Sequence, residues 1–267
     1  MQKEIMKMNE TQTNEITETR QPRPEEKKKG LMRMFELLDR DGGKFFKSGV
    51  LVFVSAIPFA VAVLAAVVTG SPLLLLACIP CGMLAAPQIC GAADTVMRSQ
   101  RDEVGWWWWD TYKKAWKRNA KAALLPGAVF GFLAGAQIWS LYLVAVMENP
   151  VRDFWFLAAA MLLELSILSY YLPMLVCMEL PFPALLRNCF VLFFSHPVKS
   201  LLAGLLQLVY YILILVWFPL TSVIFFATSV WLPMLMSCVV LYPALDKHFG
   251  LTAAYEKIQQ EQWGTNE

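Results

Sequence analysis

The 267-residue chain predicts an all-α fold, a polytopic transmembrane helical bundle of six spans in three hairpins with short interfacial amphipathic helices beside it. Three observations predict it. Hydrophobic residues make up 57 % of the chain and charged residues 16 %, where soluble domains run at roughly 45–50 % and about 25 %. The apolar residues gather in runs of about 20, the length that crosses a bilayer core as a helix. The basic residues are confined to alternate connections between those runs. Barrel strands would be about 10 residues long with alternating polarity, and these runs lack that alternation.

In chain order, residues 1–30 form a polar tail rich in Glu, Thr, Gln, Asn and Lys, with too little apolar surface to offset the entropy of ordering it, so the tail reads as disordered. It does not read as a secretory leader, because the first long apolar run begins only near Gly49. The membrane domain occupies residues 31–246, and residues 247–267 form a C-terminal tail. The spans are expected at about 50–69, 72–93, 122–147, 154–178, 201–218 and 222–245. The second is the weakest, being punctuated by Pro80, Gly82, Pro87 and Gln88, and a re-entrant course is its alternative. Amphipathic segments starting near Leu31, Trp106 and Leu185 precede the three hairpins, as three parallel repeats or as any two-span hairpins would.

None of the spans contains Lys or Arg, and the 23 basic residues divide 22 to 1 between the two sets of connections. Seven of the 22 lie in the distal tail, and the asymmetry survives without them. The positive-inside rule then places the rich side, with both termini, in the cytoplasm. If residues 72–93 did not cross, the basic connection 94–121 would lie outside, so the charge pattern favours a crossing.

The net charge of +2 gives no reason to expect nucleic acid as a partner. The six cysteines fall in or beside apolar runs and read as thiols, not as a disulfide framework. Cys78 and Cys81 have the spacing of a redox pair, but a redox motif needs its first thiol facing water. His196 and His248 are too few, and too far from carboxylates or thiols, to spell a metal site, and no cofactor motif is present. Pro197 is expected to end an interfacial helix running from Leu185 to Ser195. Pro58, Pro80, Pro87, Pro173 and Pro233 are expected to interrupt four of the spans. Gly127, Gly131 and Gly135 recur at fours on the third span, as in a closely packed helix face.

Two features point to chemistry. Glu164 is the sole carboxylate in any span, and an ionisable group at that depth is a functional candidate by default. It carries a proton or contacts a solute, or it is bonded to a neighbouring helix; Ser166, Ser169, Gln137 and Gln207 are the available partners. The second feature is the stretch Trp106, Trp107, Trp108, Trp109, Tyr112, Trp116 and Asn119, interleaved with Lys113, Lys117 and Lys121. On a helix Trp109, Tyr112 and Trp116 share a face. Aromatics favour the headgroup layer and lysines favour anionic lipid, so the stretch reads as a membrane-surface anchor or as a docking surface for a partner or a sugar ring.

Several short motifs fall in a recognisable order. They are Phe35-Glu36-Leu37-Leu38-Asp39-Arg40, the small residues of 85–93, Arg98-Ser99-Gln100-Arg101, and Trp109-Asp110-Thr111-Tyr112 through Trp116 to Asn119. Leu186-Arg187-Asn188, Phe193-Phe194-Ser195-His196-Pro197 and Tyr242-Pro243 follow. With these motifs the chain resembles, over residues 31–246, the YesL-like family of bacterial integral membrane proteins, a family without an assigned activity. The chain departs from it in the polar tail, the four consecutive tryptophans and a longer region around residues 70–81. The resemblance implies a multi-pass protein associated with carbohydrate uptake and use, and it supplies no catalytic residues. The expected function is therefore transport-related and not enzymatic. Its partners would be the bilayer and either a membrane transporter or a second copy of the chain. A non-transporting scaffold is the alternative. A membrane enzyme working through Asp94, Asp102, Glu103, Asp110 and Glu179 at the interface is a third reading.

Overall fold

A computed structural model describes residues 30–103, 107–146, 150–178, 180–217 and 219–255. The N-terminal tail before Gly30, Trp106, Glu179 and the C-terminal tail from residue 256 lie outside the described residues. Regular structure within them is helical throughout. The elements are α1 (Leu31–Thr69), a 3-10 turn (Pro72–Ala77), α2 (Cys78–Gln100), α3 (Trp108–Val146), α4 (Pro150–Cys177), α5 (Phe182–Ser195), α6 (Pro197–Val216), α7 (Ser222–Thr228) and α8 (Trp231–Phe249). Five helical stretches are long and apolar enough to cross a membrane, and α7 with α8 makes a sixth when that bent pair counts as one span. The protein is a membrane-embedded helical bundle.

Two of the three expected interfacial segments prove to be part of the spans. At 1.5 Å per residue, the 39-residue α1 is about 58 Å long, twice the bilayer core, so its first half projects beyond the apolar layer. No proline separates Leu31 from Val50, and one stripe (Arg33, Leu37, Asp41, Phe45, Ser48, Val52) packs inward along the whole stretch. The 39-residue α3 likewise runs unbroken from the tryptophan-rich segment into its span. Only the third segment, α5, is a separate helix. There Pro197 follows His196, whose backbone (φ −134°, ψ 58°) leaves the helical region.

The first hairpin turns at Gly70, which caps α1 at φ 64° and donates its N–H to Val67 O (3.3 Å), while Ser71 N–H reaches Ala66 O (3.2 Å). The second expected span forms as the 3-10 turn continued by α2. Pro80 stands in the first turn of α2, where a missing N–H costs little. In α8 the interruption expected at Pro233 lies earlier. α7 and α8 meet at 56°, with Ser229 at φ 34°. The Ser229 N–H donates to Phe225 O (2.7 Å) and its carbonyl accepts from Tyr210 Oη (3.2 Å), while Trp231 stacks on Phe45 with centroids 5.3 Å apart. Those contacts hold a backbone conformation that a non-glycine residue otherwise avoids. Pro58, Pro87 and Pro173 are accommodated inside α1, α2 and α4.

α2 is the centre of the bundle and packs on α1, α3, α4 and α8. Its Ala92, Ala93, Val96 and Met97 are fully buried. Its closest neighbour is α3, along the small-residue face expected from sequence. A methyl on Gly131 would lie 2.8 Å from Gly82 Cα and 2.9 Å from the Cys78 carbonyl oxygen, and one on Gly135 would lie 2.7 Å from Cys78 Sγ. Outward, Val54, Val61, Leu64, Val68, Leu125, Phe156, Leu213 and Leu215 are all exposed. Such a continuous apolar surface suits lipid and not water.

Candidate functional site

Glu164 lies midway along α4, half-buried, and faces α3. Gln137, the matching residue of α3, donates its Nε2 hydrogen to Glu164 Oε2. Of the four partners open from sequence, this is the one the fold brings to the carboxyl. The other three meet on a different face of α4. Gln207 of α6 donates to Ser169 Oγ (2.7 Å) and to Ser237 Oγ of α8 (3.0 Å), while Ser166 Oγ returns to its own helix at Leu162 O and abuts Gly204. Successive helical residues are about 100° apart, so Glu164 and Ser166 point roughly 200° apart. The α4–α6–α8 network is buried, and its members satisfy one another as a low-dielectric interior requires. The Gln137–Glu164 pair stands outside it.

A second constellation occupies the basic end of the bundle, where α1 begins and α2 ends. Asp102 (φ 60°) follows α2 and receives Arg33 and Arg40 of α1, each at 2.5 Å. Asp41 is almost fully buried and accepts Lys44 Nζ (2.8 Å), Arg40 Nε (2.9 Å) and Ser99 Oγ (2.6 Å). Arg98 joins Asp94 (2.6 Å) to Glu103, Arg101 also holds Glu103 (2.8 Å), and Arg118 of α3 reaches Asp94 (3.5 Å) and the Val176 carbonyl of α4 (3.0 Å). This network ties four helices together. The carboxylates named for an interfacial enzyme, Asp94, Asp102 and Glu103, are engaged by guanidinium groups. Asp110 is exposed and pairs with Lys113 (3.0 Å). Sequence reasoning missed Arg33, Asp41 and Arg118 as members. The available signal was Asp94, Asp102 and Glu103 alternating with Arg98 and Arg101 at a span end, where unpaired charges would be costly.

Asp41 lies on the part of α1 that precedes its apolar segment. Burial pushes its carboxyl up, but hydrogen bonds from Lys44, Ser99 and Arg40, with the Arg40 charge, outweigh this and hold it below the usual carboxylate range. A lowered folded-state value means the contribution is complete above the ordinary value of about 3.9 and is lost as pH falls through the lowered one. Asp41→Asn should therefore lower the thermal unfolding midpoint in detergent at pH 7, and the gap to the native protein should close below about pH 4. A gap independent of pH would refer the effect to packing.

The tryptophan-rich segment divides between two environments. Tyr112 and Asn119 are buried and Trp108 and Trp116 half-buried against the bundle. Tyr112 Oη donates to the Gln88 carbonyl (3.2 Å), and its ring fills the space over Gly91. Trp109 stacks on Tyr112 as its place on the same face predicts, with centroids 6.3 Å apart and planes 6° apart, yet it is 50 % exposed, with Lys113 Nζ 5.5 Å above its ring, and Trp107 is 81 % exposed. The buried face follows positions 112, 115, 119, 123 and 126, the 3.6-residue period set by contact with α2. Cys78, the first thiol of the redox-spaced pair, is fully buried, and all six cysteines are free thiols.

On α5, Arg187 is exposed and lines a shallow apolar surface with Leu186, Phe190 and Phe194, while Asn188 is half-buried. His196 stands at the α5–α6 break with Pro197 opening α6. His248, in the last turn of α8, comes beside it: the two Nε2 atoms are 3.1 Å apart. Among the described residues no three His, Cys, Asp or Glu side chains converge as metal ligands. Comparison with protein-family models, curated proteins and solved structures finds no match.

Proposed function

We propose that this is a transport-related protein of a bacterial cytoplasmic membrane, an accessory to the uptake of a polar solute. Carbohydrate is the solute class that the resemblance to YesL-like proteins points to. The observation that carries the reading is the Gln137–Glu164 pair. A carboxyl at mid-span is costly, and it persists where something draws on it. Here it faces away from the buried polar network that holds α4, α6 and α8 together. A carboxyl beside a carboxamide offers both acceptors and donors, which complements the hydroxyls of a sugar. Leu125, Val129, Phe132, Leu133 and Ile138 of α3 are exposed, so this helix has a side free for a transporter subunit or a second copy of the chain. The test is uptake in a deletion strain carrying Glu164→Gln: loss of uptake at unchanged protein level supports the reading, and unchanged uptake counts against it.

The basic end is assigned to the cytoplasm by the positive-inside rule. Single cysteines in a cysteine-free background should then label with an impermeant reagent in intact cells at Ser71 and Leu220, and stay unlabelled at Lys114 and Ser195. Labelling at Lys114 would reverse the orientation of α3.

A scaffold is the second reading, favoured by the exposed Trp107 and Trp109 among Lys113, Lys114, Lys117 and Lys121. A photo-crosslinker at Trp107 should trap one defined protein in the native membrane. Recovery of lipid alone would leave this segment as an anchor.

A further inference from the structure

We propose that His196 and His248 form an open two-histidine site for a divalent transition-metal ion of the zinc, copper or nickel class. The two residues are 52 positions apart, yet their rings meet through nitrogen and not through their faces. The Nε2 atoms are 3.1 Å apart and the ring planes are tilted by 60°. The centroids are 5.3 Å apart, so the two nitrogens point nearly at each other. Once the rings swing outward, an ion about 2.0–2.1 Å from both nitrogens would subtend roughly 98° between them, within the range of adjacent positions on an octahedral, square-planar or tetrahedral ion.

The fold fixes both backbones. The His196 N–H donates to the Leu192 carbonyl at the end of α5 (3.0 Å), and its carbonyl accepts from the Ser200 N–H (3.0 Å) and hydroxyl (2.8 Å) in the first turn of α6. His248 precedes the cap of α8, where the Gly250 N–H closes onto Asp246 O (2.7 Å). Three helices therefore converge on one nitrogen pair. His248 is exposed and His196 half-buried, so an ion reaches the pair from solvent. Without metal, one ring donates to the other through a shared proton. When an ion binds, the donor ring carries its proton on Nδ1 instead, and both Nε2 lone pairs go to the metal.

Two nitrogens leave coordination positions open to water or to a donor from another molecule. Lys199 and Lys247, close in sequence to the two histidines, are exposed. Two protein ligands are fewer than the four of a closed zinc site, so binding is expected to be weaker than at such sites. The site joins α8 to the α5–α6 corner, so occupancy would brace that corner.

The test uses the untagged full-length protein in detergent. Titration with Cu²⁺, followed by electron paramagnetic resonance, should show one bound ion with hyperfine structure from two nitrogens. Calorimetry with Ni²⁺ should give one site, weakened at least tenfold by His196→Ala and equally by His248→Ala. Both side chains are accessible, so these variants should fold; unchanged thermal midpoints without metal check this, and metal should raise the midpoint of the native protein alone. Absence of binding at millimolar metal, or binding that survives the double variant, would overturn the proposal and leave the pair a hydrogen bond.

Discussion

Leucine in place of Gly131 should keep α2 and α3 apart and leave little folded protein. Their contact is the most extensive in the bundle, and it is built backbone to backbone. A first side-chain carbon on Gly131 would lie 2.8 Å from Gly82 Cα and 2.9 Å from the Cys78 carbonyl oxygen. Neither atom belongs to a flexible side chain, so relief requires one helix to move. Overpacking of a rigid core costs about 1–3 kcal/mol and occasionally more, and a backbone collision belongs at the upper end. Leucine adds three further carbons at a seam that continues through Gly127 against Ala86 and Gly135 against Cys78. In lipid, helices associate largely through such packing. Separating α2 from α3 also strains the attachment of Arg118 to Asp94, since each lies on one of the two helices. The measurement is the yield of monodisperse protein in detergent and its thermal midpoint. Gly43→Ala is the matched control. Gly43 is helical with nothing within 4 Å of an added methyl, so alanine should stabilise by about 0.5–1 kcal/mol. Equal loss in both variants would show that any change at glycine harms this protein and would refute the seam argument.

That seam was legible beforehand because a repeat of small residues at fours is a local pattern with one physical use. The spans were legible for the same reason: a run of 20 apolar residues answers a fixed bilayer thickness. The partner of Glu164 was half legible. Gln137 stood among four residues able to serve, and only the rotation of α4 separated it from Ser166, Ser169 and Gln207. What stayed hidden depends on which faces meet. Arg33 and Asp102 are 69 positions apart, and His196 and His248 are 52 apart, and nothing in either local segment names the other. The bend of the last span was read from Pro233, yet the chain turns at Ser229, where Phe45, Gly49 and Tyr210 from other helices hold it. Local propensity marked the neighbourhood, and packing chose the residue. The continuity of α1 and α3 was missed for a related reason. An amphipathic stripe followed by an apolar run looks like two helices until one sees that no residue between them breaks the backbone.

Glu164 can be a clamp or a working group, and the two roles predict different results from one set of variants. Glu164→Gln keeps a side chain able to bond Gln137 and removes the ionisable oxygen. Hydrogen bonds between membrane helices average about 0.6 kcal/mol and reach about 1.7, so even complete loss of the clamp would cost little stability. Protein level should hold. If the carboxyl contacts a solute or carries a proton, uptake should fall at least about tenfold, since a hydrogen bond to a charged group contributes about 1.5–3 kcal/mol. Glu164→Leu alone leaves the Gln137 amide without its acceptor, whereas the double variant Glu164→Leu with Gln137→Leu removes both polar groups and replaces them with carbon that lipid and neighbouring helices accept. A clamp predicts that this double variant restores whatever Glu164→Leu lost, in protein level and in uptake together. A working group predicts that it restores protein level and leaves uptake absent. Recovery of uptake in the double variant would reduce Glu164 to a structural residue and move the search for function to the exposed tryptophans of α3.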